Sequence, residues 1–161
     1  AMGRNPYLGR FSLERDEDWQ AINIAIEKTD LTQLADRSVT ALSGGERQRV
    51  MIARAIAQDT DILLLDEVTA NLDISHQLEI MQLTRTLAEN GRLIIASIHD
   101  LTMASRFCDR LILLDKGGIV AEGKPTEVLT TENMAKHFSV EAKIEAGIGS
   151  GLTITPITPL P

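Results

Sequence analysis

The sequence predicts an α/β fold, a parallel sheet with flanking helices, on three observations. Ile62-Leu63-Leu64-Leu65 is continuously apolar and ends abruptly in Asp66-Glu67, the pattern of a parallel strand buried on both faces. Two further apolar runs, residues 93–98 and 111–114, are separated by segments of helical periodicity. Strand, helix, strand, helix, strand implies right-handed crossovers and ligands gathered at the carboxyl ends of strands.

Taken in order, Pro6, Gly9 and the polar residues around Ser12 read as loop. Asp16-Glu17-Asp18 then precede Trp19, Ile22 and Ile26 at helical spacing, and acidic residues in a first turn favour a helix. Ser43-Gly44-Gly45 stand just before Val50, Ala53, Ile56 and Ala57, again at helical spacing, so a second helix starts there. After the strand at 62–65 a helix is expected over about 75–90, closed by Asn90-Gly91. The strand at 93–98 follows, then helical Leu101, Ala104 and Cys108, then the strand at 111–114. Lys116-Gly117-Gly118 predicts a hairpin turn into Ile119-Val120-Ala121. Thr126 and Thr131 are expected to cap two short helices, the second carrying Met134 and Phe138. The last stretch is rich in Gly, Thr and Pro, which by composition alone is a flexible tail.

Composition narrows the function classes. Sixteen basic and 23 acidic residues give a net charge of −7, with no basic stripe interleaved with aromatics, so nucleic acid is not an expected partner. The single cysteine, Cys108, excludes an internal disulfide, fits a reducing compartment and reads as a small apolar helix residue. No apolar run approaches the roughly 18 residues of a membrane span. The start, Ala1-Met2-Gly3-Arg4, shows neither a targeting pattern nor an early strand, and a soluble piece of a longer sequence is expected.

Two devices carry the chemistry. Leu42-Ser43-Gly44-Gly45-Glu46 offers a helix N-terminus with unpaired N–H groups, close backbone approach at glycine and a hydroxyl donor on Ser43, a natural place for an anion. Asp66-Glu67 offers two carboxylates at a strand end. Separately, the first reads as a cap and the second as a solvated turn. Together, LSGGERQRV followed by LLLDEVTANLD resembles the signature motif, Walker B motif and D-loop of ATP-binding cassette (ABC) ATPases, and Ser97-Ile98-His99-Asp100 matches the family's switch-histidine loop.

That resemblance implies part of a P-loop NTPase core: residues 1–45 from the helical subdomain, 46–116 from the core and 117–161 a C-terminal hairpin and helix region. It implies that Asp66 helps hold Mg²⁺ through water, that Glu67 orients and polarises the attacking water, and that His99 senses the γ-phosphate. Ser43, Gly44, Gly45 and Glu46 would meet the ATP held by a second subunit, and Asp73 would reach across the dimer. Val68 departs from the family's usual proline. His76 and His137 match no motif and read as surface or packing residues. Met2-Gly3-Arg4-Asn5-Pro6-Tyr7 with Gly9-Arg10-Phe11 is similar to the segment in ATPases that import iron chelates, cobalamin and haem. Residues 138–142 with 152–156 resemble their closing, loose hairpin. The implied partners are a second ATPase subunit and membrane-spanning permease subunits, at the cytoplasmic face of the cell membrane without insertion.

Gly118-Ile119-Val120-Ala121-Glu122-Gly123-Lys124-Pro125 nearly satisfies the phosphate-loop pattern. Pro125 has neither the hydroxyl for Mg²⁺ nor an N–H, and the segment follows a hairpin turn, so it is a decoy. No phosphate loop, glutamine loop or adenine-stacking aromatic is found before the signature. The chain alone is therefore expected not to hydrolyse ATP. A missing phosphate-loop strand should leave residues 93–98 and 111–114 either paired directly or bridged by another chain. Two other readings stand beside this one: a non-catalytic interaction module, and a chromosome-structure or repair ATPase with the same signature. Against the latter stand the acidic balance, the absence of heptads and the transporter-like Arg47-Gln48-Arg49-Val50 with Ala53-Arg54-Ala55.

Overall fold

In the computed structural model, residues 1–9, 13–70, 72–149 and 151–161 are described. Arg10 and Phe11 of the importer-like segment, Ser12 of the expected loop and Asn71 of the D-loop match lie outside them. The chain divides into two compact units, Ala1–Ser97 and Ile98–Pro161.

The first unit opens with a 3-10 helix, Met2–Tyr7, which takes in Pro6 of the expected loop, whereas Gly9 lies outside any helix or strand as expected. Side chains pin this helix: Arg4 Nε donates to Asp18 Oδ1 at 2.7 Å, its Nη1 to the Ala57 carbonyl at 3.2 Å, and the Tyr7 hydroxyl to the Gln58 carbonyl at 2.7 Å. Helix α1 (Asp16–Lys28) starts on three acidic residues, and the Asp18 carboxylate also accepts from the Arg15 amide at 3.0 Å. Ile22 and Ala25 are buried on its inner face, whereas Trp19 is half exposed. Helix α2 (Gly44–Ile56), strand β1 (Ile62–Leu65), helix α3 (Ile74–Glu89) and strand β2 (Leu93–Ala96) follow. Strand β1 pairs with β2 in parallel, Ile62 opposite Leu93 and Leu65 opposite Ala96. Ile52, Ile56, Leu63, Leu65, Ile80 and Leu87 form the centre of the core.

Burial on both strand faces is not observed. Leu63 and Leu65 are buried, but Leu64 is 73% exposed and Ile62, Leu93 and Ile95 are exposed with it. The pleat alternates side chains between faces, and α2 and α3 contribute to the core on one face only. An apolar run reports strand propensity, not what lies over the strand.

The second unit contains α4 (Leu101–Phe107), β3 (Leu111–Asp115), β4 (Gly118–Gly123), α5 (Pro125–Val128), α6 (Thr131–Phe138), β5 (Val140–Ala146) and β6 (Leu152–Pro159). Strand β3 pairs antiparallel with β4 through a turn in which Lys116 and Gly117 both have positive φ. Thus the third apolar run does not extend the parallel sheet, and direct pairing of residues 93–98 with 111–114 is not formed: β2 and β3 lie in separate sheets. The neighbouring hairpin turn supplies β3 with a local partner. The decoy segment is strand β4 followed by Pro125 in the first turn of α5.

Both expected caps shift by one or two residues. Pro125 is preorganised for a first helical turn, so Lys124 precedes α5 as its N-cap and Thr126 lies inside. Thr130, whose hydroxyl accepts from the Asn133 amide at 3.2 Å, caps α6, and Thr131 is its first helical residue. Cys108 is the C-cap of α4, just past the helix. The expected closing hairpin is formed, in place of the coil that composition alone suggests: β5 and β6 pair antiparallel from Val140 opposite Pro159 to Ala146 opposite Leu152, with a register shift between Glu141 and Ala142. The buried Ser105 hydroxyl docks the hairpin on α4, accepting from the Leu152 amide at 2.8 Å and donating to its carbonyl at 3.1 Å.

His137 ties α6 to β3, with Nδ1 2.9 Å from Asp115 Oδ2 and its side chain only 8% exposed. This hydrogen bond, and after it the Lys116 charge, hold the Asp115 carboxyl below its ordinary 3.8 against the opposing effect of burial. A depressed folded value means stability that is full above 3.8 and is lost as pH falls through the lower folded value. Acid titration followed by the His137 ring resonances should show this loss below the ordinary carboxylate value, and Asp115→Asn should abolish that step. An unchanged step in the variant would contradict the assignment.

Among the described residues, no helix is long and apolar enough to cross a membrane.

Candidate functional site

Strand β1 delivers Asp66 and Glu67 to its carboxyl end, as the sequence predicts, and Ser97, just past the end of β2, organises them. The Ser97 hydroxyl donates to Asp66 Oδ1 at 2.7 Å and accepts from the Glu67 amide at 2.8 Å. The Ser97 amide in turn donates to the Leu65 carbonyl at 2.9 Å. One serine therefore fixes the orientation of one carboxylate and the main chain of the next. Glu67 has a φ of +47°, a left-handed conformation that side chains other than glycine adopt rarely. Val68 is buried in the core behind it, so its side chain anchors this loop. Gln77 of α3 holds the following segment, its Nε2 donating to the carbonyls of Thr69 at 3.2 Å and Leu72 at 3.1 Å.

The second patch is the start of α2. Ser43 is its N-cap, and the hydroxyl accepts from the Glu46 amide at 3.2 Å while the Glu46 carboxylate accepts from the Ser43 amide at 2.6 Å. The Ser43 hydroxyl accepts in this cap while its own O–H proton remains a donor, as the sequence argued. The Ser43 amide, then its hydroxyl, hold the Glu46 carboxyl below its ordinary range. Glu46 spends its charge on this cap, and as a carboxylate it would repel a phosphate brought to the same end. The amides of Gly44 and Gly45 remain as first-turn donors, and a Cβ at Gly44 would meet nothing within 4 Å.

Asp73 is the N-cap of α3, accepting from the His76 amide at 3.0 Å. That bond, followed by one from the His76 ring, holds the Asp73 carboxyl below its ordinary value. Asp73, exposed and ionised, can still accept from a donor brought to it.

Within the first unit, then, Asp66 and Glu67 share Ser97, and Asp73 stands at the head of α3. His99 lies in the second unit, exposed, one residue before Asp100, whose carboxylate caps α4 by accepting from the Met103 amide at 2.9 Å. Among the described residues no group of three or more His, Cys, Asp or Glu side chains is gathered to hold a metal. A single oriented carboxylate fits Mg²⁺, which keeps several waters and takes its remaining ligands from substrate phosphates. The roles of Ser97 and Gln77 were not read from sequence, because each depends on a contact between segments far apart or on side-chain direction.

Residues 3–70 match the family model described as ABC transporter. The chain is 42% identical over 161 residues to the cobalamin import ATP-binding protein BtuD of Halobacterium salinarum, covering 99% of this chain and 39% of that protein. It is 47% identical over 143 residues to the iron(3+)-hydroxamate import ATP-binding protein FhuC of Bacillus subtilis, covering 88% of this chain and 53% of that one. It is 44% identical over 145 residues to the ferric enterobactin transport ATP-binding protein FepC of Escherichia coli, covering 89% and 54%. Among solved structures, an inward-facing ABC transporter described as of metal-chelate type aligns with a TM-score of 0.87 at 28% identity, covering 98% of this chain and 64% of that one. The dimeric ABC cassette MJ0796 aligns with a TM-score of 0.62 at 32% identity, covering 74% and 52%. The chain thus spans roughly two fifths to just over half of the curated relatives it matches.

Proposed function

We propose, from the premise that this chain carries an ABC transporter domain homologous to import ATP-binding proteins, that it supplies part of the ATPase site of an importer for a metal chelate such as a siderophore, cobalamin or haem. The observation that carries this reading is the Ser97 bridge, which presents two adjacent carboxylates at a strand end with one of them oriented. In phosphoryl transfer the protein acts mainly by positioning and by neutralising charge. Asp66 would hold Mg²⁺ through water, and Mg²⁺ when bound would offset the charge of the phosphates. Glu67 would accept the proton of the attacking water, and His99 would hydrogen-bond to the γ-phosphate. The Ser43 hydroxyl with the Gly44 and Gly45 amides would face the γ-phosphate of ATP held by a second copy, with Glu46 keeping that helix end capped. Asp73 would reach across the same interface. Permease subunits at the cytoplasmic face of the membrane would receive the motion of the dimer.

The 161 residues contain no G-x-x-x-x-G-K-[ST] pattern. Donors at one helix end do not replace a phosphate loop and its lysine, so turnover requires that loop from a segment beyond these residues. Phosphate release from ATP and Mg²⁺ is therefore expected from a protein that joins these residues to a phosphate loop, and none above background from the chain alone. No release from either would favour an interaction module, and release stimulated by DNA would favour a chromosome or repair ATPase.

A further inference from the structure

Adjacent glycines at the head of α2 serve different ends. A Cβ at Gly44 would stand in open space, whereas one at Gly45 would lie 2.6 Å from Cδ2 of His76 and 3.0 Å from its Cγ and Nε2. Real side chains do not approach so closely, so the imidazole occupies the room that Gly45 leaves by having no side chain. No positive φ demands glycine at position 45; the His76 ring does.

The other side of the ring is held as firmly. Nδ1 of His76 lies 2.8 Å from Asp73 Oδ1, the same oxygen that accepts the His76 main-chain amide at 3.0 Å. A carboxylate only accepts, so Nδ1 carries the proton. One carboxylate oxygen thereby grips both the backbone and the ring of a single residue, which fixes where the ring lies. The His76 side chain is one third exposed, and part of its surface is spent on Gly45.

We propose that His76 is a positioning residue that locks the Ser43–Gly45 helix end to the loop carrying Asp73, so that the two segments move as one. The inference rests on the reading above only in treating both segments as parts of a nucleotide interface; the lock itself is a property of the first unit. If a ligand presses on the amides of Gly44 and Gly45, the ring transmits the displacement to Asp73 through a single rigid side chain. Neither end can shift without breaking the Nδ1 hydrogen bond or opening a gap at Gly45.

Nitrogen NMR on the whole 161-residue chain tests this without any nucleotide. In the wild type the neutral His76 ring should appear as the Nδ1-protonated tautomer, a signature that mere packing would not fix. Asp73→Ala should release the ring to a mixture of tautomers and shift the amide resonances of Gly45 and Glu46. In a His76→Ala background the same Asp73→Ala change should move those amides by less than half as much. Should the alanine pair not fold, His76→Phe keeps a ring beside Gly45 without Nδ1 and should uncouple the two segments equally. Gly45→Ala should displace the ring and alter its nitrogen signals. Amide shifts of the same size whatever residue stands at position 76, or ring nitrogens indifferent to Asp73→Ala, would overturn the lock. Because no measurement involves ATP, failure here leaves the ATPase reading standing, and failure of that reading leaves the lock standing.

Discussion

Glu67→Gln, in a protein that joins these residues to a phosphate loop, is expected to lower ATP hydrolysis by at least about 10²-fold, the effect of losing a general base. Glutamine keeps the size and the hydrogen-bonding reach of the side chain but cannot take a proton. Its main-chain amide still reaches the Ser97 hydroxyl, so the left-handed turn and the orientation of Asp66 survive the change. ATP affinity should persist, because the donors that hold phosphate lie elsewhere. Single-turnover phosphate release separates chemistry from binding, and turnover near wild type with intact binding would remove Glu67 from the role of base.

A second large effect is expected at Ile52. It is 1% exposed, in the cluster that joins α2 to β1 and α3, with Ile80 and Leu87 equally enclosed. Ile52→Ala removes buried apolar volume and leaves a cavity that the surrounding helices fill only partly, at a cost of about 2–5 kcal/mol. Against a net stability of roughly 5–15 kcal/mol for a domain, that is a large share. Urea unfolding should show a lower midpoint with an unchanged slope. A loss below about 1 kcal/mol would mean that the site collapses around the smaller residue. Because α2 carries Ser43 and Gly45 at its other end, the same change should loosen the ring contact of His76.

What the sequence disclosed follows from the range of the interactions. The start of α2 was legible because Ser43, the glycines and Glu46 are contiguous, and the end of α3 because Asn90-Gly91 sits where a helix closes. Local competition defeated the expectation at Thr126, where Pro125 set the helix start earlier, and at Thr131, where Thr130 offered its hydroxyl first. The apolar runs were right about β1, β2 and β3 but silent on cover and partners, since alternating exposure of Ile62 and Leu64 depends on what the rest of the chain places above them. Ser97 beneath two carboxylates and His76 against Gly45 lie wholly beyond a linear reading. Each joins positions some thirty residues apart, and neither residue type alone marks a site.

The exposed row of Ile62, Leu64, Leu93 and Ile95 decides how this chain behaves in a crowded solution. Contiguous aliphatic surface draws copies together whenever they meet, and such a patch is an aggregation hazard. What opposes contact is the net charge of −7, a repulsion acting over about 10 Å at 0.1 M salt and over roughly 3 Å at 1 M. Colloidal dispersion of the chain is thus electrostatic in origin, and it fades as ionic strength rises or as pH approaches the isoelectric point near 4.9.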